Sequence, residues 1–240
     1  MIALVTGVGR TQAIGAAVCR ELAHKGHDVF FTYWHAYDLV DYKKENLTDP
    51  NTLIAELEAV GVRAGCAEID LSTITAQAEL FDASEKLLGT PNILINNATV
   101  GIGASLAQIT PELLDKHYAV NVRSTTLLCK EFVQRLKGAP GKIVNITSGQ
   151  SLGAMRGELP YTVTKACADM LVLQLSPVLS EIGVTINAFD PGPTDSGWIT
   201  DDIRAEIEKH MRIRTTEEVA IALVKLLETD ATGQVVHYGR

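Results

Sequence analysis

Residues 2–15 read Ile-Ala-Leu-Val-Thr-Gly-Val-Gly-Arg-Thr-Gln-Ala-Ile-Gly and carry three structural signals in a row. The apolar run from Ile2 to Thr6 is typical of a buried strand. Gly7 and Gly9 follow it and permit a tight turn. The chain then becomes rich in Ala and Leu, which favours a helix. The stretch therefore predicts a strand, a turn and a helix in close succession.

Further apolar runs continue this pattern at 29–33, 66–69, 93–95, 143–147, 185–189 and 234–237, each separated from the next by enough residues for a helix. Strands that alternate with helices pair in parallel through right-handed crossovers. The predicted fold class is α/β, a Rossmann-type, doubly wound parallel sheet of seven strands with helices on both faces, in a single domain spanning 1–240. Residues 34–50 lack clear periodicity and predict a surface excursion.

The composition excludes several classes of protein. With 240 residues, 46% of them hydrophobic, the chain can bury a full core. The net charge of −8 argues against nucleic acid as a partner, because phosphate binding needs a concentrated basic surface. The short opening apolar run and the absence of an 18-residue apolar stretch predict neither a signal peptide nor a membrane span.

The cysteines and histidines give no sign of a metal site. Cys19, Cys66, Cys129 and Cys167 lie too far apart for a zinc knuckle or a redox dithiol, and no His pair has ligand spacing. We expect no metal, four buried thiols and a cytoplasmic location.

Ligands of such a sheet bind beyond the carboxyl ends of the strands, where the glycine turn and the start of the following helix offer N–H groups to a pyrophosphate. Asn96-Asn97-Ala98 and Thr147-Ser148-Gly149 place small polar groups at the same edge. Tyr161 and Lys165 follow at i and i+4 in a predicted helix, so they share one face. Taken singly, each has an ordinary reading: a glycine turn, a packed tyrosine, a solvated lysine, a turn serine.

Together, and in this order, these residues resemble the classical short-chain dehydrogenase/reductase family over essentially the whole chain, with the closest likeness to 3-oxoacyl-[acyl-carrier-protein] reductases. The family's glycine motif is matched by Thr6-Gly7 and Ala13-Ile14-Gly15, with two extra residues and Ala at the middle Gly. Its Asn-Asn-Ala-Gly motif is matched by 96–99, ending in Thr99. Its later Pro-Gly motif is Pro191-Gly192.

The resemblance implies a hydride transfer between a nicotinamide cofactor and a carbonyl or secondary alcohol, on a small ketone or a 3-oxoacyl thioester. Tyr161 would be the general acid and base, with Lys165 pulling its pKa toward neutrality and binding the nicotinamide ribose. Ser148 would donate a hydrogen bond to the carbonyl, and Asn121 would hold a water that connects Lys165 to solvent.

NADP(H) is favoured over NAD(H), because Arg10 stands in the glycine turn and no acid follows the second strand until Asp38, so no carboxylate opposes an Arg–phosphate contact. Asp70 would contact the adenine. The cofactor contacts that the resemblance implies are Gly7, Gly9, Arg10, Ala13, Ile14, Gly15, Tyr33, Trp34, Asp70, Leu71, Asn97, Ala98, Thr99, Tyr161, Lys165, Pro191, Gly192, Thr194 and Ser196.

The resemblance also implies a substrate lid at about 194–211, short enough to disfavour long-chain thioesters, and a homotetramer or homodimer formed through helices 111–136 and 159–182. One alternative stays open, a catalytically idle NADP(H)-binding sensor or scaffold of the same fold. A methyltransferase on a similar sheet would need an acid after the second strand, and Tyr33-Trp34 does not supply one.

Overall fold

A computed structural model describes residues 1–40, 47 and 49–239. In this part of the chain seven parallel strands form one sheet in the order β3-β2-β1-β4-β5-β6-β7, which confirms the predicted fold class. The strands are β1 (Ile2–Val5), β2 (Asp28–Tyr33), β3 (Ala64–Glu68), β4 (Ile93–Asn96), β5 (Gly141–Ile146), β6 (Val184–Asp190) and β7 (Val235–His237).

Helices cover both faces of the sheet, and some of them begin at a residue whose side chain caps the first turn. Thr110 accepts a hydrogen bond from the Leu113 amide ahead of Pro111, and Thr215 forms a capping box with Glu218. The helices are α1 (Ile14–His24), α2 (His35–Val40), α3 (Pro50–Ala59), α4 (Ala76–Leu87), α5 (Pro111–His117), α6 (Thr125–Leu136), α7 (Leu159–Ser180), α8 (Asp201–Ile207) and α9 (Thr216–Leu227).

The core has two layers because the strands are apolar on both faces. In β1, Ala3 and Val5 pack against α1, α3 and α9, while Leu4 between them packs against α4, α6 and α7. This alternation is the period of two that a strand imposes, and the continuous apolar runs in the sequence follow from it. Because apolar side chains cover both faces of the sheet, its polar residues lie mainly at the carboxyl ends of the strands.

The helix predicted over 111–136 runs without a gap, but it is not α-helical throughout. It consists of α5, a π-helical segment at Tyr118–Ser124, and α6. In the π-helical segment Asn121 is buried, and its side chain bonds to the backbone of Val100. The apolar periodicity of the sequence does not reveal tertiary hydrogen bonds of this kind, so it did not predict the π-helical segment.

Two other expectations were wrong in part. The stretch 34–50 was expected to be a surface excursion, but α2 lies within it and buries Asp38 against the glycine turn. The four cysteines are all free, yet only Cys19 and Cys129 are buried; Cys66 is partly buried and Cys167 is exposed on α7. Lys43 and Lys44, two charged residues of this stretch whose side chains the sequence predicts to be solvated, lie outside the described residues.

Within the described ranges, no helix has both the length and the hydrophobicity that crossing a membrane requires. The same residues contain no cluster of three or more His, Cys, Asp or Glu side chains that could hold a metal ion.

Candidate active site

A cleft of about 790 Å³ lies at the carboxyl edge of the sheet. Its centre is β1, because β2 and β3 lie on one side of this strand and β4 to β7 on the other. The connections after β1 and β4 leave the sheet in opposite directions, which opens a crevice between them. Residues that follow each of the strands from β1 to β6 line the cleft.

The glycine turn fits closely against the end of β4. Gly7 has φ of +75°, and a Cβ there would lie 2.5 Å from the Ala98 Cα. The Thr6 hydroxyl accepts hydrogen bonds from the amides of Asn97 (3.1 Å) and Ala98 (3.0 Å). The Asn97 side-chain amide donates to the carbonyls of Thr6 (2.8 Å) and Gly7 (2.9 Å). Bare backbone at the start of α1 therefore faces the cleft, as binding of a dinucleotide diphosphate requires.

Arg10 and Asp38 form an ion pair at the β2 side of this turn, with 3.3 Å between Arg10 Nε and Asp38 Oδ1. Arg10 also donates to the Ser196 carbonyl (3.2 Å). Burial raises the pKa of Asp38, and the Arg10 charge opposes that rise. The expectation that no carboxylate opposes Arg10 was wrong, because α2 returns Asp38 to the turn from 28 residues away.

Tyr161, Lys165 and Ser148 meet in the cleft beyond β5. The Lys165 ammonium is buried and donates to the Ile146 carbonyl (2.7 Å), and it lies 5.5 Å from the centre of the Tyr161 ring. Burial lowers the pKa of Lys165 to about 8, with Asp169 acting in the opposite sense. Burial raises the pKa of Tyr161, against a hydrogen bond with Ser148 that lowers it. Because its pKa is raised, the Tyr161 phenol is protonated, as a general acid must be before it donates a proton.

The shift of the Tyr161 pKa differs from the expectation that Lys165 pulls it toward neutrality. The reason is geometric: the Lys165 ammonium is bonded to the end of β5 and lies over the ring. Desolvation of the phenol therefore outweighs the effect of the cation.

Asn121 lies behind the cleft and does not line it. Its side-chain amide donates to the Val100 carbonyl (2.8 Å) and the Thr164 hydroxyl (2.9 Å). Its side-chain oxygen accepts from the Val100 amide (2.7 Å) and the Thr99 hydroxyl (3.2 Å). These four bonds use every position of the side chain, so a water contact from Asn121 would use its main-chain carbonyl.

The other predicted residues do line the cleft, with one exception. Gly15 lies below it, where a Cβ would come within 2.8 Å of the Asn97 side chain. Its role is packing of α1 against β4.

Several cleft residues were missed by sequence reasoning: Tyr37, Asp38, Lys116, Glu158 and Asp190. Glu158 and Asp190 had usable signals, since the first precedes Tyr161 by one helical turn and the second ends β6. Tyr37 and Asp38 had none, because only the folding of α2 brings them in. The Tyr37 hydroxyl accepts from the Gly101 amide (2.9 Å), which ties α2 to the loop after β4.

A family model described as short chain dehydrogenase matches residues 1–207. The chain belongs to this family. One short-chain dehydrogenase relative, an uncharacterized oxidoreductase of Bacillus subtilis named YjdA, is 38% identical over 247 residues, covering 98% of this chain and 94% of the relative. NADPH-dependent aldehyde reductase 2 of Arabidopsis thaliana is 27% identical, covering 98% and 91%.

Among solved structures, a 3-oxoacyl-[acyl-carrier protein] reductase from Brucella melitensis superposes with a TM-score of 0.85 at 26% identity, covering 99% of this chain and 95% of that one. This short-chain dehydrogenase is thus an oxidoreductase with a nicotinamide cofactor, and its substrate is a small carbonyl or alcohol compound.

The close approach of Gly7 to Ala98 generates a prediction about cofactor binding. Gly7→Ala should abolish binding of both NADH and NADPH in a fluorescence titration, because the added Cβ forces the turn away from β4. Gly61→Ala is the matched control, since Gly61 also has a positive φ (+93°) but no atom within 4 Å of the added Cβ. Equal affinities in the two variants would contradict this account of the turn.

Proposed function

We propose that this protein is an NADPH-dependent carbonyl reductase that also runs in reverse as an alcohol dehydrogenase. The proposal rests on one observation: Ser148, Tyr161 and Lys165 share the cleft with the glycine turn, and the Tyr161 phenol is hydrogen-bonded to Ser148 with its pKa raised. An acid for the developing alkoxide and a donor for the carbonyl oxygen thus lie together.

In the proposed reaction, the glycine turn and Lys165 would hold NADPH, which would supply the hydride for the carbonyl carbon. Tyr161 gives its proton to the carbonyl oxygen, which becomes the alcohol, while Ser148 donates a hydrogen bond to that oxygen. The phenolate left behind is stabilised by the Lys165 charge and regains a proton from solvent. Asn121 acts by fixing the Val100 backbone and the Thr99 hydroxyl beside the site.

Five side chains of the 194–211 segment line the cleft, which supports the proposal that this segment is a substrate lid. They are Trp198, Ile199, Ile203, Ile207 and Met211. The base of the segment is closed by hydrogen bonds between the backbones of 193–195 and Arg214. A lid of this size favours compact substrates, and the net charge of −8 opposes docking of an acidic carrier protein.

Removal of the phenolic hydroxyl tests the proposed chemistry. Tyr161→Phe should lower kcat/KM for ketone reduction by about 100-fold or more, since a positioned acid contributes that much, and should leave NADPH affinity within about twofold of wild type. Tyr118→Phe, which removes an exposed hydroxyl, should change neither.

NADPH oxidation against a panel of ketones and β-ketoacyl thioesters measures the rates. Binding of NADPH by both proteins with no Tyr161-dependent turnover would instead favour the idle sensor or scaffold.

The preference for NADP(H) draws on the position of Arg10 and on the plant relative whose name includes NADPH dependence. Asp38 weakens the attraction that Arg10 exerts on a phosphate. The ion pair therefore determines how much more tightly NADP(H) binds than NAD(H). The Arg10 guanidinium is expected to leave Asp38 and bind the 2′-phosphate.

Two substitutions test that expectation. Arg10→Met should raise the Kd for NADPH by about tenfold or more, because charge-assisted hydrogen bonds are lost, with a smaller effect on NADH. Asp38→Asn should lower the Kd for NADPH by removing a like charge. Tighter binding of NADH than of NADPH by the wild type would contradict the preference.

We further propose a homotetramer or homodimer assembled through the helical regions 111–136 and 159–182. Along α7, Val163, Met170, Leu173 and Val178 are each about half exposed, and exposed apolar rows of this kind are typical of interfaces between subunits. The predicted cytoplasmic location rests on the four cysteines being free.

Light scattering during gel filtration tests the assembly. Met170→Glu with Leu173→Glu should reduce the molar mass by a factor of two or more, because charges would be buried between subunits. Ile221→Glu, at an equally exposed position on α9, should leave the mass unchanged. A monomeric wild type would refute the proposal.

A further inference from the structure

Glu158 is a carboxylate of the cleft that neither the fold nor the catalytic residues account for. It is the N-cap residue of α7, where a side chain ordinarily accepts hydrogen bonds from the first amides of the helix. The Glu158 side chain makes no such bond. It lines the cleft instead, and its Oε1 lies against Gly103, where a Cβ would be 3.1 Å away.

The backbone fixes Glu158 in this position. The Leu159 amide donates to the Ala104 carbonyl (3.3 Å), and residues 104 and 158 form an isolated parallel bridge. Glu158 directly precedes the helix that carries Tyr161 three residues later, about 4.5 Å further along the axis, and both residues line the cleft. The Glu158 charge also acts to raise the pKa of Tyr161, as expected of a neighbour.

Other carboxylates of the cleft have partners. Asp38 pairs with Arg10, Asp70 accepts from the Ser72 amide, and Asp190 accepts from the Gly192 amide and contacts His237. In the described part of the chain, no hydrogen bond or ion pair reaches the Glu158 carboxylate, and burial alone raises its pKa. A partly buried charge without a partner costs free energy that a ligand donor would recover.

The same cleft is also lined by apolar side chains of the 194–211 segment, Ile199, Ile203 and Ile207. A bound substrate whose carbonyl oxygen lies at Tyr161 would therefore meet hydrocarbon in this cleft and, beside Tyr161, the Glu158 carboxylate. A group only a few bonds from the carbonyl would reach the carboxylate.

We propose that Glu158 is a specificity-determining residue, and that the preferred substrate carries a hydrogen-bond donor, either a hydroxyl or an ammonium group, within a few bonds of the reacting carbonyl. This inference rests on the proposed carbonyl reductase activity and names its substrate class. Both the hydroxyl and the ammonium group can donate a hydrogen bond to a carboxylate, and the experiment shows which of the two is preferred.

The test compares three ketones of similar size: 1-methyl-4-piperidone, which carries an ammonium, 4-hydroxycyclohexanone, and 4-methylcyclohexanone, which has no donor. For the wild type, kcat/KM with NADPH should be at least about tenfold higher for one of the two donor ketones than for the methyl compound. Glu158→Gln should reduce that ratio about tenfold for the ammonium ketone and less for the hydroxyl ketone, because Gln still accepts a hydrogen bond. Glu79→Gln, at an exposed position in the first turn of α4, should leave both ratios unchanged.

Calorimetric titration of the same ketones into each protein separates the two proposals. Turnover with ratios that are equal in wild type and Glu158→Gln overturns the role of Glu158 and leaves the reductase standing. A Glu158-dependent preference in binding without turnover supports the role and refutes the reductase. Neither turnover nor binding of any of the ketones overturns both.

Discussion

The hydrogen bonds between Thr6 and Asn97 are the interaction on which the cleft depends. β1 and β4 are neighbours in the sheet but 88 residues apart at their nearest ends in the chain, from Val5 to Ile93. Two bonds join Thr6 to Asn97, and two more join Asn97 to Gly7 and Ala98 to Thr6; all four are partly buried and close the gap between the two strand ends. The glycine turn thereby becomes a fixed surface, and the other cleft residues take their positions relative to it.

The two ends of the cleft use charge differently. At the turn, Arg10 and Asp38 compensate each other, so a ligand must displace one charge to bind the other. Beyond β5, Lys165 is bonded to a carbonyl and Tyr161 keeps its proton. The Tyr161 phenol thus stays protonated, whereas the opposite charges of Arg10 and Asp38 at the turn neutralise each other.

The strands and the order of the site residues were predictable, because each rests on a local pattern: an apolar run, a glycine pair, an i and i+4 spacing. Strand ends shifted by one or two residues, as at Asp28 and Gly141, where pairing with a neighbour rather than side-chain hydrophobicity sets the boundary. The ion pair of Arg10 with Asp38 and the four bonds of Asn121 could not be predicted. Both depend on contacts between distant segments, and the local sequence around Asp38 or Asn121 is compatible with an ordinary solvated helix.

The π-helical segment at 118–124 has a consequence for insertions and deletions. A π turn contains about one more residue than an α turn. The sequence positions that face the sheet in α6 are therefore shifted by about one residue, or a quarter of a turn, from those that an uninterrupted α-helix continuing α5 would place there. Removing any one residue between 118 and 124 would let the three pieces merge into a single regular helix. Asn121 would then rotate away from Val100, and the backbone beside the cleft would lose its support. The spacing of the chain here matters to the site as much as the identity of its residues.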